Sequence, residues 1–398
     1  MNTFGFSVGR ALMGCFALLA LLAGCTDAYM PDVIGTPPGY LVVDGFLNAQ
    51  GVTTIRLSRA FAVASKAAAP VETRAAVTIE DNTGARLLLA ETSTKGTYAS
   101  ASQQLNLNRQ YRLRIITLAG KEYASAFVPV KITPAVDNLT WRINGNGLNF
   151  YVSAHDAANA TQYYRWETDE TWEIRPPYAP VVEYVTAARA IRPIAVPYPT
   201  VCYGNMRSNA VLIDKTTALT QDVVSDFPVK QLLPASERLY TRYSILVQQH
   251  ALTKDEYAYW ELLKKNTESI GTLFDPQPAQ LTGNVRCLTS PDEVVLGFVG
   301  AHSVSEKRLF ISRTDLPAGW PRISGYENCV PPDTVFLKPK GMVPPPKPEE
   351  VLLTAFGPQN MLPIEEIYIA GFLGGYTTKP RDCVDCRTRG AATRPSFW

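Results

Sequence analysis

From residue 40 onward, apolar and polar side chains alternate in runs of four to eight, the pattern of half-buried strands. Tyr40-Leu41-Val42-Val43-Asp44-Gly45-Phe46 is rich in β-formers and stops at a turn. Val52 to Leu57 sets Ile55 and Leu57 on one face. Ala76-Val77-Thr78-Ile79 runs into Asp81-Asn82-Thr83-Gly84, a strong turn signal, and Arg86 to Ala90 returns. Gly96-Thr97-Tyr98 and Tyr111 to Ile115 complete six or seven short strands with no helical stripe between them. Such spacing predicts an antiparallel sandwich over residues 39–133.

The strand order of this region resembles the transthyretin-like or carboxypeptidase-regulatory-like β-sandwich. Pro129 to Pro134 marks a boundary, and a second β-rich region is expected over residues 134–398. Its strands are Leu139 to Ile143, Leu148 to Val152, Tyr163 to Glu167, Leu239 to Val247, Ala279 to Val285, Val294 to Val299 and Arg308 to Ser312. Prolines between Pro176 and Pro199 are too dense for a central strand, so that stretch reads as loop or edge. One helix is expected, over 253–270. Thr253-Lys254-Asp255-Glu256 is a capping box, Tyr259, Leu262, Leu263 and Ile270 form an apolar stripe, and Gly271 ends it. Its aromatics Tyr257, Tyr259 and Trp260 suit packing on a sheet better than a ligand platform. Residues 331–348, with Pro344-Pro345-Pro346, read as an exposed polyproline loop. The fold class is therefore mostly β: two sandwich-like domains of immunoglobulin or transthyretin type, with one prominent α-helix in the second.

The N-terminus breaks the pattern. Arg10 precedes an apolar run from Ala11 to Leu22, long enough for a signal peptide and too short to span a bilayer as a helix. Leu22-Ala23-Gly24-Cys25 then matches a bacterial lipoprotein signal, in which the thiol of Cys25 is acylated and the chain cut before it. Residues 1–24 are the signal and 25–38, with Pro31, Pro37 and Pro38, a tether. The formal charge of +2 includes Arg10 of the signal, and no basic block stands out, so nucleic acid is not an implied partner. The implied partner surface is a membrane, reached through lipid on Cys25.

The chemistry is sparse. Gly5-Phe6-Ser7-Val8-Gly9 fits a nucleophile elbow but lies inside the signal. His155, His250 and His302 are far apart and fit no metal spacing, so no metal, cofactor or catalytic residue is implied. A hydrolase site assembled by the fold around His155 or His302 remains an alternative. Glu349-Glu350 and Glu365-Glu366 suit solvated faces. Of seven cysteines, Cys15 leaves with the signal and Cys25 takes lipid, leaving Cys202, Cys287, Cys329, Cys383 and Cys386. Five is odd, so one stays unpaired, and spacing does not give connectivity. For Cys383-Val384-Asp385-Cys386, structural disulfides are favoured over a redox pair, and zinc ranks third.

Taken together, the lipobox, Leu41-Val42-Val43-Asp44-Gly45, Tyr163-Tyr164-Arg165-Trp166 and Tyr257-Ala258-Tyr259-Trp260 form a familiar set. With them stand Gly271-Thr272-Leu273-Phe274-Asp275-Pro276, Gly283-Asn284-Val285, Leu296-Gly297-Phe298 and the closing Cys383-to-Trp398 block. The chain resembles the Bacteroidota outer-membrane lipoproteins catalogued as domain of unknown function 4249. The resemblance implies no established activity. It implies a lipid-anchored outer-membrane protein, its leaflet undetermined, working beside a TonB-dependent transport receptor. Cys202, Cys329, Cys383 and Cys386 match positions expected for the family, and Cys287 does not, which makes it the free thiol. The reading is thus a non-enzymatic binding lipoprotein of the envelope. A structural envelope component is the further alternative.

Overall fold

Asp81 shows how local chemistry starts the first sheet. Its Oδ1 accepts the backbone N–H groups of Thr83 and Ala85 at 2.9 Å each, closing the turn that the Asp-Asn-Thr-Gly run predicts. The computed structural model describes residues 39–61, 68–145, 147–268, 281, 283–341 and 343–398. The signal, Cys25 and its tether, and the Gly271-to-Pro276 block lie outside the described residues. Within them the chain is mostly β, in sandwich-like sheets.

Strands Leu41–Asn48, Thr54–Arg59, Ala76–Asp81, Arg86–Glu91, Thr97–Ala99, Gln110–Ile116 and Glu122–Ser125 curl around one core. Their alternate side chains point inward: Leu41 and Val43, Ile55 and Leu57, Val77 and Ile79, Leu113 and Ile115 are all buried. Three late strands complete the sheet. Val285–Cys287 pairs with Glu122–Ser125, while Val295–Leu296 and Ala301–His302 run parallel to the two ends of Leu41–Asn48. Residues 285–302, which the Pro129-to-Pro134 boundary assigns to the second region, thus return to the first core.

Two glycines make that return possible. A Cβ on Gly297 would lie 2.0 Å from the Val43 carbonyl oxygen, and one on Gly283 would lie 1.7 Å from that of Gly297. Only residues without a side chain let three backbones stack this closely. Asn284 fastens the stack, its amide donating to the Val299 carbonyl (3.0 Å) and accepting from the Val299 N–H (2.8 Å). Cys287 is the free thiol among the described cysteines and is buried in this core.

The second sandwich sets Val136–Asn144, Gly147–Asp156 and Asp222–Leu232 against a sheet of Tyr163–Ile174, Cys202–Arg207, Leu212–Lys215, Arg242–Ala251 and Val304–Ser312. Leu148, Phe150 and Val152 from one sheet meet Trp166, Tyr243, Ile245 and Val247 from the other. A fully buried carboxylate within it, Glu170, is held by Arg238 (2.8 Å), Lys230 (2.7 Å) and the Tyr243 hydroxyl (2.8 Å). A buried charge needs such company. Helix Lys254–Glu268 starts where Thr253 Oγ1 accepts the Glu256 N–H at 3.2 Å. Its aromatics pack, as expected: Tyr257 meets Tyr163, Tyr259 meets Phe298, and the Arg165 guanidinium lies 4.1 Å over Trp260.

Strand register sets these parts in a row. Leu41 pairs beside Val295 at the far end of the first sandwich, and Asn48 pairs beside His302 at the joint. Tyr163–Ile174 then leads away from the joint, where Tyr164 faces Ala251, to its other end, where Ile174 faces Cys202. Twelve residues of strand cover about 36 Å.

Candidate functional site

At the far end of that row the last residues of the chain are stapled down. Cys202 opens an edge strand and is joined to Cys386, while Cys329 is joined to Cys383. The two cysteines of the Cys383-to-Cys386 run bind different distant partners and not each other, so the run is a clamp. Asp385 between them is buried. Burial works against its charge, but hydrogen bonds from Arg387 outweigh that and hold its carboxyl below the ordinary range.

A hairpin grows out of this clamp. Met361–Ile369 pairs with Phe372–Pro380, and Asp333–Phe336 adds a third strand along the base. At the base Leu362, Ile364 and Tyr376 are buried, and helix Pro348–Phe356 packs Leu352 and Phe356 beneath. Beyond Gly374 the third strand has ended and the hairpin is a bare two-stranded ribbon. Ala370 (φ 51°) and Gly371 (φ 84°) form its two-residue turn, both left-handed, the conformation that matches strand twist. Around this turn Tyr368, Ile369, Phe372 and Leu373 are 61, 53, 78 and 38 % exposed. No charged residue occurs from Ile367 to Tyr376. A cluster of large apolar side chains on a projecting ribbon is a contact surface in search of cover.

The proline-rich segment 331–348 lies beside it but is not the free polyproline loop expected. Asp333–Phe336, with a β-branched pair and an aromatic, is drawn into the edge of the hairpin sheet, and Pro348 begins a helix. Most of the described residues between them are exposed, Val343 at 95 %. The cleft between helix and hairpin, lined by Tyr184, Tyr198, Phe356, Met361 and Arg381, holds about 180 Å³. That is below the roughly 300 Å³ from which small-molecule sites usually start.

The histidines considered for catalysis sit elsewhere. His155 Nδ1 is 2.7 Å from Asp137 Oδ2, and that hydrogen bond raises its pKa, but the imidazole stands in solvent. His302 is buried at the joint between the sandwiches, beside His250. Among the described residues no hydroxyl or thiol is hydrogen-bonded to any of the three imidazoles. Nor do three His, Cys, Asp or Glu side chains there converge as a metal site. The apolar hairpin has no counterpart among the sequence expectations, which pass from Glu365-Glu366 to Cys383. Its signal was available: a charge-free run folded about an Ala-Gly pair.

Comparison with known proteins adds a family and little else. No curated protein matches the sequence. Among solved structures the chain is similar to a DUF4785 family protein from Legionella pneumophila, with 12 % identity over 52 % of this chain and 51 % of that one, at a TM-score of 0.19. A two-domain fibronectin type-III segment of chicken tenascin gives 9 % identity over 70 % of this chain and 99 % of that one, at 0.16. Trypsin-activated alpha-2-macroglobulin from Escherichia coli gives 10 % over 57 % and 16 %, at 0.17. TM-scores this low carry no argument about fold or function. The sequence itself is more decisive: residues 26–308 match the family model described as domain of unknown function (DUF4249), and the chain belongs to that family.

Proposed function

We propose that this protein is a non-enzymatic, lipid-anchored lipoprotein of the outer membrane that binds a partner beside a TonB-dependent transport receptor. Cys25 carries the anchor. The observation that carries the reading is the uncharged hairpin tip, Tyr368 to Leu373, held out on a disulfide-stapled base. In support, strand register sets the tether end, Gly39 and Tyr40, at one end of the row and the hairpin beyond the other. A fully extended 14-residue tether reaches about 50 Å, long enough to let the folded part stand clear of the lipid that anchors it. The tip then faces a neighbouring protein. The preformed turn keeps the ordering cost of docking low.

Detergent pull-down through a C-terminal tag recovers an outer-membrane barrel. The double variant Tyr368→Ser, Phe372→Ser lowers that recovery at least tenfold while the melting temperature stays put. Unchanged recovery with the variant overturns the docking surface. No barrel at all, together with a hydrolytic turnover that His155→Ala removes, replaces the whole reading with the hydrolase.

A further inference from the structure

The joint between the two sandwiches is made of polar groups that the fold leaves short of partners. Strand Leu41–Asn48 brings Phe46 there, the end of Arg242–Ala251 brings His250, and Ala301–His302 brings His302. Both imidazoles are shut away from solvent, at 2 and 1 % exposure, with ring centroids 5.1 Å apart and edge-to-face. Phe46 stacks on His302 at 4.2 Å and meets His250 at 5.2 Å. Neither nitrogen of His250 has a hydrogen-bond partner, and neither has His302 Nε2. Unpaired buried polar atoms are costly, and here they gather at one seam.

The charged groups around the pair treat the two rings differently. Helix Lys254–Glu268 supplies Glu256, whose Oε1 is 3.7 Å from His302 Nε2 and whose Oε2 has no hydrogen-bond partner. His302 Nδ1 lies 3.3 Å from the Ser303 carbonyl, which makes it the donor and points the Nε2 lone pair at Glu256. Strand Tyr163–Ile174 supplies Arg165 and Glu167. Glu167 is the acid near His250, at 4.0 Å, but Arg165 already holds it at 2.8 Å. Arg207 adds another positive charge from the neighbouring strand. Asp44 stands in solvent two residues before Phe46, and Lys131, bridged to His302 through backbone, turns its ammonium to the Ala160 carbonyl at 2.6 Å. His302 therefore faces a carboxyl group with an unpartnered oxygen. The acid beside His250 is already engaged by Arg165.

We propose that the joint is a proton-operated latch, closed while His250 is neutral and released when His250 is charged, which frees the first sandwich to move against the second. A neutral ring packs edge-on against Phe46 and His302 and needs no solvation. A charged one needs water, and water reaches it only if Phe46 and its sandwich withdraw. Burial first, then Arg165, His302 and Arg207, push the His250 pKa well below its ordinary value in the closed joint. The closed form thus binds the proton more weakly than the open one. Above the ordinary histidine value of about 6.5 this group leaves the joint indifferent to pH, and below it the open form gains about tenfold per pH unit.

Hydrogen–deuterium exchange on the detergent-solubilised full chain, corrected for intrinsic rates, reads this directly. Between pH 6.5 and 5.0 the opening equilibrium of the Ala251 amide, which donates across the joint to Thr133 Oγ1 at 3.0 Å, rises about 15-fold. His250→Phe keeps the neutral-pH protection and removes that rise, whereas His302→Phe retains it. Should His250→Phe fail to fold, His250→Gln serves the same purpose, and imidazole NMR of the wild type reads the titration without substitution. Equal protection of the wild type at both pH values overturns the proposal. So does the same acid opening in a folded His250 variant, or a charged His250 inside an intact joint.

Discussion

The first sandwich holds Tyr98, Leu113 and Tyr123 in one continuous apolar core and keeps its one described cysteine, Cys287, reduced and buried within it. The C-terminal end has two small clusters, one around Tyr326 and Val384, the other around Leu352 and Phe356, and carries both disulfides. Where alternating strands bury enough surface, apolar burial alone holds the sheet. Where proline and glycine leave little to bury, cross-links that restrict the unfolded chain take over. The stapled end is also the end that can afford an uncovered apolar ribbon.

The largest effect expected is on the staples. The bridges span 184 and 54 residues, and loop-closure entropy assigns such spans about 4–5 kcal/mol. Cys202→Ser with Cys386→Ser lowers stability by about 4 kcal/mol. Hydrogen exchange locates the loss in the hairpin base, with Ala76–Asp81 in the first sandwich still protected. Equal loss of protection in both regions breaks the comparison. Next comes the stacked backbone of the first sandwich. Gly297→Ala drives a methyl into the Val43 carbonyl and costs about 3 kcal/mol, in keeping with overpacked sites. Cys287 reports it. Cys287 is 2 % exposed, so its thiol resists alkylation in the native protein, contrary to the ready reaction a free cysteine suggests, and the variant speeds that reaction. The smallest effect sharpens the contrast. Phe372→Ser, at an exposed tip, shifts stability by less than about 0.5 kcal/mol in thermal unfolding, although the same change weakens partner recovery.

Much of this architecture was legible from local pattern. Alternation predicted strands of both sandwiches, though not Cys202–Arg207, Leu212–Lys215 or Asp222–Leu232 of the second, and the Asp81 turn and Thr253 cap stand where their residue types imply. The proline-rich stretch was misread because composition reports backbone preference, while an open sheet edge recruits whatever β-capable residues come near it, here Asp333 to Phe336. The glycines at 283 and 297 stood out as family motifs without a reason. Their reason is steric and appears only once Val43, some 250 residues away, lies against them.

Alternation, turn residues and caps act over a few bonds, so the sequence by itself determined that the chain is mostly β and where its principal helix begins. Contacts between residues far apart in the chain carry no such local mark. Only the tertiary structure decided that residues 285–302 complete the first sheet, which cysteines pair, that His250 and His302 meet at the joint, and that Tyr368 to Leu373 stay uncovered. Each depends on which apolar surfaces can be buried at once, a property of the whole packed chain.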